Sequence, residues 1–204
     1  MWDGSILQVV PGLKIAAPRD ATRLAGLLRE AVAIGDGPSV LRYPKGAPGP
    51  DIPAVGTLGQ MDLLHRPADP AATDVLLVGA GPMAGVGVAA AARLADQGIG
   101  VTVVDPRWLK PLDEALVTAA GQHRLVVTAE DNGRAGGFGD AVARLLRDAG
   151  CGTPVRTFGL PQGFLSHGKR EEILADAGLD PQHLAREITE AVARLTPELE
   201  HHQS

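Results

Sequence analysis

The chain has 204 residues, 45% hydrophobic, 21% charged and only 3% aromatic, enough for one large domain or two small ones with a real core. Nineteen basic against 24 acidic residues give a net charge of −5, and no basic block is long enough to follow a phosphate backbone, which argues against nucleic acid as a partner. The longest apolar run, residues 86–92, falls far short of the roughly 20 residues a membrane span needs. No charged-then-apolar signal segment opens the chain, so a cytoplasmic location is expected. Cys151 is the only cysteine, which leaves no internal disulfide or multi-cysteine metal site and reads as a buried spectator thiol.

In chain order, KIAA from Lys14 reads as a strand, residues 20–34 as a helix and PSVLRYP as a second strand. Asp20 is the natural cap of that helix, and Leu24, Leu27, Leu28 and Ala31 share one face of it at i, i+3, i+4 and i+7. Gly35-Asp36-Gly37, between helix and strand, has ordinary turn chemistry. Pro48, Pro50, Pro53, Pro67 and Pro70 then punctuate a stretch with little helical periodicity. It is expected to be an interdomain linker over residues 47–73, with a short strand pair within 55–64. From Asp74 the strands VLLVG, VTVVD, LVVTAE and PVRTFG alternate with Ala- and Leu-rich helical segments. That alternation predicts an α/β fold with a mostly parallel sheet covered by helices. Glu171 and Glu172 begin a helix, where negative charge suits the dipole. A last helix is marked by Asp180 as cap, Pro181 at its first position and the stripe Leu184, Ile188, Val192, Leu195; residues 198–204 are expected to be a disordered tail.

The stretch from Val75 to Asp105 carries a dinucleotide-binding pattern: a strand, Gly79, Gly81 and Ala84 opening a helix, and Asp105 ending the next strand 21 positions after Ala84. In that pattern the glycines admit a pyrophosphate to a helix N-terminus and the acid holds a ribose. Against it, Pro82 removes a backbone donor where a phosphate needs one, and any tight strand-to-helix turn favours glycine. Both readings stand on the residues alone. The run 130–139, EDNGRAGGFG, has the glycines of an anion-binding nest, but its two leading carboxylates repel phosphate, so an interdomain or dimer contact is expected. His65, His123, His167 and His183 lack metal-ligand spacing. Ser5, Ser39, Ser166 and Ser204 never occur in G-x-S-x-G.

Taken together, PRWLKPLD, TAEDNGRAGGFGDAV, FGLPQGF, HGKREEIL and AGLD occur in the order found in the C-terminal domain of the transketolase-like thiamin diphosphate enzymes, and the chain resembles that family. Upstream, MWDGSILQVVPGLKIAAPRD and PSVLRYPKG resemble the end of the pyrimidine-binding domain in one branch, the 1-deoxy-D-xylulose-5-phosphate synthases. The resemblance implies residues 1–46 as the end of a pyrimidine-binding domain, 47–73 as linker and 74–197 as a transketolase C-terminal domain. It also implies a transferase that joins pyruvate to glyceraldehyde 3-phosphate with loss of CO2, using thiamin diphosphate and Mg2+, on a route to isoprenoids and thiamin.

Little of that machinery is expected in this chain. The family's diphosphate and metal site is a GDG followed at a distance by Asn; Gly35-Asp36-Gly37 lies in a turn, and the only Asn is Asn132. The family's activating glutamate and an active-site histidine belong to an upstream part, Trp2-Asp3 being the tail of the histidine's motif. No catalytic, cofactor-binding or metal-binding residue is therefore expected here. In R-Y-P-[RK]-G the family's final basic residue contacts the sugar phosphate, which falls on Lys45, while Arg42 is expected to be a structural ion-pair residue. The implied partners are a second copy of the chain or a separate N-terminal polypeptide. Two alternatives stay open: a non-catalytic assembly module, or a dinucleotide-binding protein. As the end of a larger sheet, residues 1–46 are also expected to show an open strand edge and an exposed apolar face.

Overall fold

The computed structural model describes residues 2–195; the tail expected over 198–204 lies outside them. A short helix that apolar periodicity does not announce, α1 (Asp3–Gln8), opens the chain. Then β1 (Lys14–Ala16), α2 (Ala21–Val32) and β2 (Ser39–Leu41) follow in the expected order. The Asp20 carboxylate accepts the Arg23 N–H at 2.7 Å, satisfying one of the free donors at the start of α2. Leu27 and Ala31 on this helix are buried, but Leu28 is 52% exposed. The apolar face read from the sequence is wider than the surface that covers it.

The main sheet has six strands in the order β3-β4-β6-β5-β8-β9: β3 (Gly56–Leu58), β4 (Met61–His65), β5 (Val75–Gly79), β6 (Val101–Asp105), β8 (Leu125–Gly133) and β9 (Val155–Leu160). β5 runs parallel to β6 and β8, and β8 to β9, whereas β4 is antiparallel to both β3 and β6. This is the mostly parallel α/β sheet that the alternation predicted. Helices α3 (Met83–Ala95), α4 (Ala115–Gly121), α5 (Phe138–Asp148), α6 (Arg170–Asp176) and α7 (Pro181–Leu195) accompany it. Alternate residues of the central strands feed two cores. Val75, Leu77, Val101, Val103, Leu125 and Val127 meet Leu94, Leu184 and Ile188 of α3 and α7. On the other side Leu76, Val78 and Val126 meet Leu116, Phe138 and Val142 of α4 and α5. Burial on both faces explains why these strands read as continuous apolar runs.

Two features go beyond the expected layout. Within the stretch 47–73 the short strand pair forms as β3 and β4, and β4 is integral to the sheet: Met61, Asp62, Leu63 and Leu64 are all buried, and β4 pairs with β6. The segment WLK of PRWLKPLD forms β7 (Trp108–Lys110), which reaches back to pair antiparallel with β1. A small sheet of order β2-β1-β7 results, and Leu13, Ile15 and Ala17 enter the same core as Leu76 and Val78. Among the described residues the outer edge of β2 is unpaired, and within the same segment Trp2, Ile6, Val9, Leu28 and Val32 expose apolar surface, as expected of it.

The different burial of neighbouring leucines gives a direct check. Leu27→Ala should destabilise the chain by about 2–5 kcal/mol through the cavity it leaves, and Leu28→Ala by no more than about 0.5 kcal/mol. Urea unfolding of the two variants measures both.

Candidate functional site

Where the first 50 residues meet the main sheet, the seam is charged, and much of that charge is buried. Arg19 follows β1, and its side chain is only 4% exposed. Its Nη1 donates to Asp62 Oδ2 at 2.5 Å and to Asp105 Oδ2 at 2.7 Å, while Nε and Nη2 donate to the Ile52 carbonyl at 3.0 and 2.8 Å. Asp62 and Asp105 face each other across the β4–β6 pairing, an arrangement of like charges that destabilises a sheet unless a cation sits between them. Arg23 also pairs with Asp62. Burial is the largest influence on Asp105 and pushes its pKa up to about 6, against the lowering effect of Arg19 and of the Arg107 N–H.

A second cluster holds the other end of the segment. Arg42, just past β2, donates through Nε to Asp3 Oδ2 at 2.6 Å, through Nη1 to Asp131 Oδ1 at 2.5 Å and through Nη2 to the Asp131 carbonyl at 3.0 Å. Arg170, at the start of α6, donates to the remaining oxygen, Asp131 Oδ2, at 2.6 Å. Arg42 is thus the ion-pair residue it was expected to be. The loop after Glu130 makes the interdomain type of contact anticipated for it: Asn132 Oδ1 accepts the Gly4 N–H at 3.1 Å, and Ser5 Oγ donates to the Ala135 carbonyl at 2.8 Å. Glu130 accepts the N–H groups of Phe138 and Gly139 at 3.0 and 2.9 Å, at the N-terminus of α5. Burial nevertheless raises its pKa to about 7, the N–H groups and Asn132 pulling the other way.

Lys45 stands exposed at the tip of the segment, three residues beyond Arg42. The dinucleotide pattern fares differently. Asp105 has no exposed surface, and its second oxygen accepts the Arg107 N–H at 2.8 Å, so neither oxygen faces a ribose site. Gly81 has the left-handed φ of +57°, and a Cβ there would lie 3.3 Å from the Ala17 methyl; the N-terminal segment occupies the space over the turn that a pyrophosphate would need. A Cβ on Gly79 would sit 2.6 Å from the Ala84 Cα, so this glycine serves the close approach of strand and helix. The pattern is a folding feature, and the dinucleotide reading falls.

Asp36 of Gly35-Asp36-Gly37 is exposed in the loop between α2 and β2 and pairs with Lys14 at 2.8 Å. Among the described residues no group of three or more His, Cys, Asp or Glu side chains is placed to hold a metal ion. The residues present do not fit a diphosphate–Mg2+ site. His65 and His123 bond to backbone carbonyls of Val101 and Ala119, and His183 pairs with Asp180; His167 is exposed. Cys151 is half-buried, with its Sγ 3.6 Å from Thr153 Oγ1. No described helix is long and apolar enough to cross a membrane.

Two family models match the chain in tandem: the transketolase pyrimidine binding domain over residues 1–50 and the transketolase C-terminal domain over residues 67–184. The chain belongs to the transketolase family. It is 64% identical over 195 residues to 1-deoxy-D-xylulose-5-phosphate synthase of Thermobifida fusca, covering 95% of this chain and 31% of that protein. The corresponding protein of Frankia casuarinae is 57% identical, over 98% of this chain and 31% of its own length. The chain thus spans just under a third of the curated relatives it matches, in their C-terminal part. Among solved structures, a split-gene transketolase described as an inactive β4 tetramer superposes with a TM-score of 0.82 at 28% identity, over 94% of this chain and 61% of that one.

The sequence concealed Arg19 and Asp62, and it showed Asp131 as a leading carboxylate of the 130–139 run without showing its pairing with Arg42. The one signal for them was charge inside otherwise apolar text, the Asp of MDLLH and the acids of TAED.

The buried carboxyls have a pH signature. A group whose pKa is raised on folding binds its proton more tightly in the native chain, so its contribution is fully present below the unfolded value and declines as pH rises through the folded one. For Glu130 that window runs from 4.5 to about 7. In denaturant titrations wild type should lose stability relative to Glu130→Gln between pH of about 5 and 7.5. A difference that stays flat across that range would contradict the assignment.

Proposed function

We propose that the chain is the C-terminal portion of a 1-deoxy-D-xylulose-5-phosphate synthase, contributing to the transfer of a two-carbon unit from pyruvate to glyceraldehyde 3-phosphate. The observation that carries this reading is the 64% identity to a protein of that name, sustained over 95% of the chain. In the family, thiamin diphosphate supplies the carbanion chemistry. Both it and Mg2+ would be held by polypeptide outside this chain, a reading supported by the described residues offering no group of three or more His, Cys, Asp or Glu side chains placed to hold a metal ion. We assign residues 1–46 to the end of the pyrimidine-binding domain and 74–197 to the C-terminal domain. Lys45 is assigned to the phosphate of the aldehyde substrate. It is an exposed cation four residues beyond the end of β2, and its ammonium can neutralise phosphate without the two-pronged geometry of Arg.

An open apolar groove of about 440 Å3, lined by Trp2, Ile6, Ala135 and Phe164 among others, supports the need for partner polypeptide; Phe164 is 98% exposed. A non-catalytic self-assembling module is the alternative, favoured by the likeness to the inactive β4 tetramer.

The test is reconstitution. The chain is mixed with the upstream part of the Thermobifida fusca relative, thiamin diphosphate, Mg2+, pyruvate and glyceraldehyde 3-phosphate, and 1-deoxy-D-xylulose 5-phosphate is measured. Product should form only when both polypeptides are present. If that relative's own C-terminal part restores activity and this chain does not, the catalytic reading is lost, and a concentration-dependent oligomer of the chain alone would establish the assembly module. In the active mixture Lys45→Met should raise the KM for the aldehyde roughly 10- to 100-fold, as expected for a lost charged hydrogen bond, and Lys45→Arg should retain it.

A further inference from the structure

We propose that Asp131 is a positioning residue for Lys45, acting through Arg42. The inference rests on the assignment of Lys45 to phosphate and adds what holds that lysine in place. Lys45 hangs on a very short lever. Arg42 N–H donates to the Ala16 carbonyl at 2.8 Å, so the β1–β2 pairing persists up to Arg42. Two residues later Pro44 fixes its own φ and confines Tyr43 to extended backbone. Three residues span at most about 10 Å of chain, and one of them is a proline, so the direction in which Lys45 leaves the sheet follows from how Arg42 is held.

Asp131 does most of that holding. It supplies Arg42 with both a carboxylate oxygen and its main-chain carbonyl, at 2.5 and 3.0 Å, and its side chain is only 7% exposed. It sits on β8, the longest strand of the main sheet, all nine residues of which are buried, at the point between Ala129 and Gly133 where the pairing with β9 shifts register, so Arg42 is tied to a buried element of the main sheet. Arg170 takes the other carboxylate oxygen, leaving Asp131 neither oxygen free to turn away. By contrast Asp3, the other anion on Arg42, comes from a six-residue helix and is half-exposed.

Positioning and simple electrostatics predict opposite signs. Removing a negative charge close to a phosphate site should strengthen anion binding, whereas releasing the anchor of the lysine should weaken it. The probe is inorganic phosphate, titrated into the 15N-labelled chain while the Lys45 and Gly46 amides are followed. Asp131→Asn should weaken the response at Lys45 by at least about fivefold and make its amide more mobile, with amides of β5 unmoved. Should Asp131→Asn fail to fold, Arg42→Lys, which keeps the charge but loses the fork, carries the same expectation. A response in Asp131→Asn equal to or tighter than wild type overturns the positioning role and leaves the Lys45 assignment intact. No response in wild type removes the Lys45 assignment, and the positioning role with it.

Discussion

A guanidinium taken out of water must find partners for both its charge and its donors. Arg19 does so by gathering segments that are distant in sequence: Asp62 from β4, Asp105 from the end of β6 and the carbonyl of Ile52 from the Pro-rich connection. The dependence is mutual, because Asp62 and Asp105 oppose each other across the strand pairing and Arg19 is the cation that touches both. Much else about the molecule follows. The segment after β1 is locked against the sheet, the connection is drawn in over Arg19, and Ala17 is left lying over the Gly81 turn.

The same device recurs at the far end of the segment, where Asp131 sits between Arg42 and Arg170. Together the two clusters fix the N-terminal segment at Arg19 and at Arg42, and Ile15 and Leu27 are buried in the core. What the seam leaves in solvent is the loop with Lys45, the edge of β2 that is unpaired among the described residues and the apolar groove by Trp2 and Phe164. The buried charges fasten the segment, and the surface features beyond them are those that the proposed synthase would use for phosphate and for its partner polypeptide.

Much of this fold was legible in the sequence. β5, β6 and the start of β8 announced themselves as apolar runs, and α7 through Asp180, Pro181 and its stripe, because strands buried on both faces and amphipathic helices write their surroundings locally. β7 was not legible: WLK is three residues between prolines, and only its pairing with β1 makes it a strand. Nor was the burial of β4 visible, since MDLLH carries an acid whose partner, Arg19, lies 43 residues away. The glycine pattern at Gly79 and Gly81 was ambiguous for a physical reason. A turn that admits a phosphate equally admits a methyl group of another segment, and which of them arrives is decided outside the pattern. Lys45 and Asp131 were separable only in part, because a strand-end cation can be seen in the sequence and its anchor 86 residues later cannot.

Buried charge at the seam makes the N-terminal segment one unit with the main sheet. Native-state hydrogen exchange tests it most directly, at the Ala17 amide, which donates to the Arg107 carbonyl at 2.9 Å across the seam, compared with the Leu76 and Leu77 amides of β5. In wild type Ala17 should exchange together with β5, through global unfolding. In Arg19→Met, which leaves Asp62 and Asp105 without their shared partner, Ala17 should exchange well ahead of β5. An Ala17 amide that already opens separately in wild type, at a rate Arg19→Met leaves unchanged, would contradict the account.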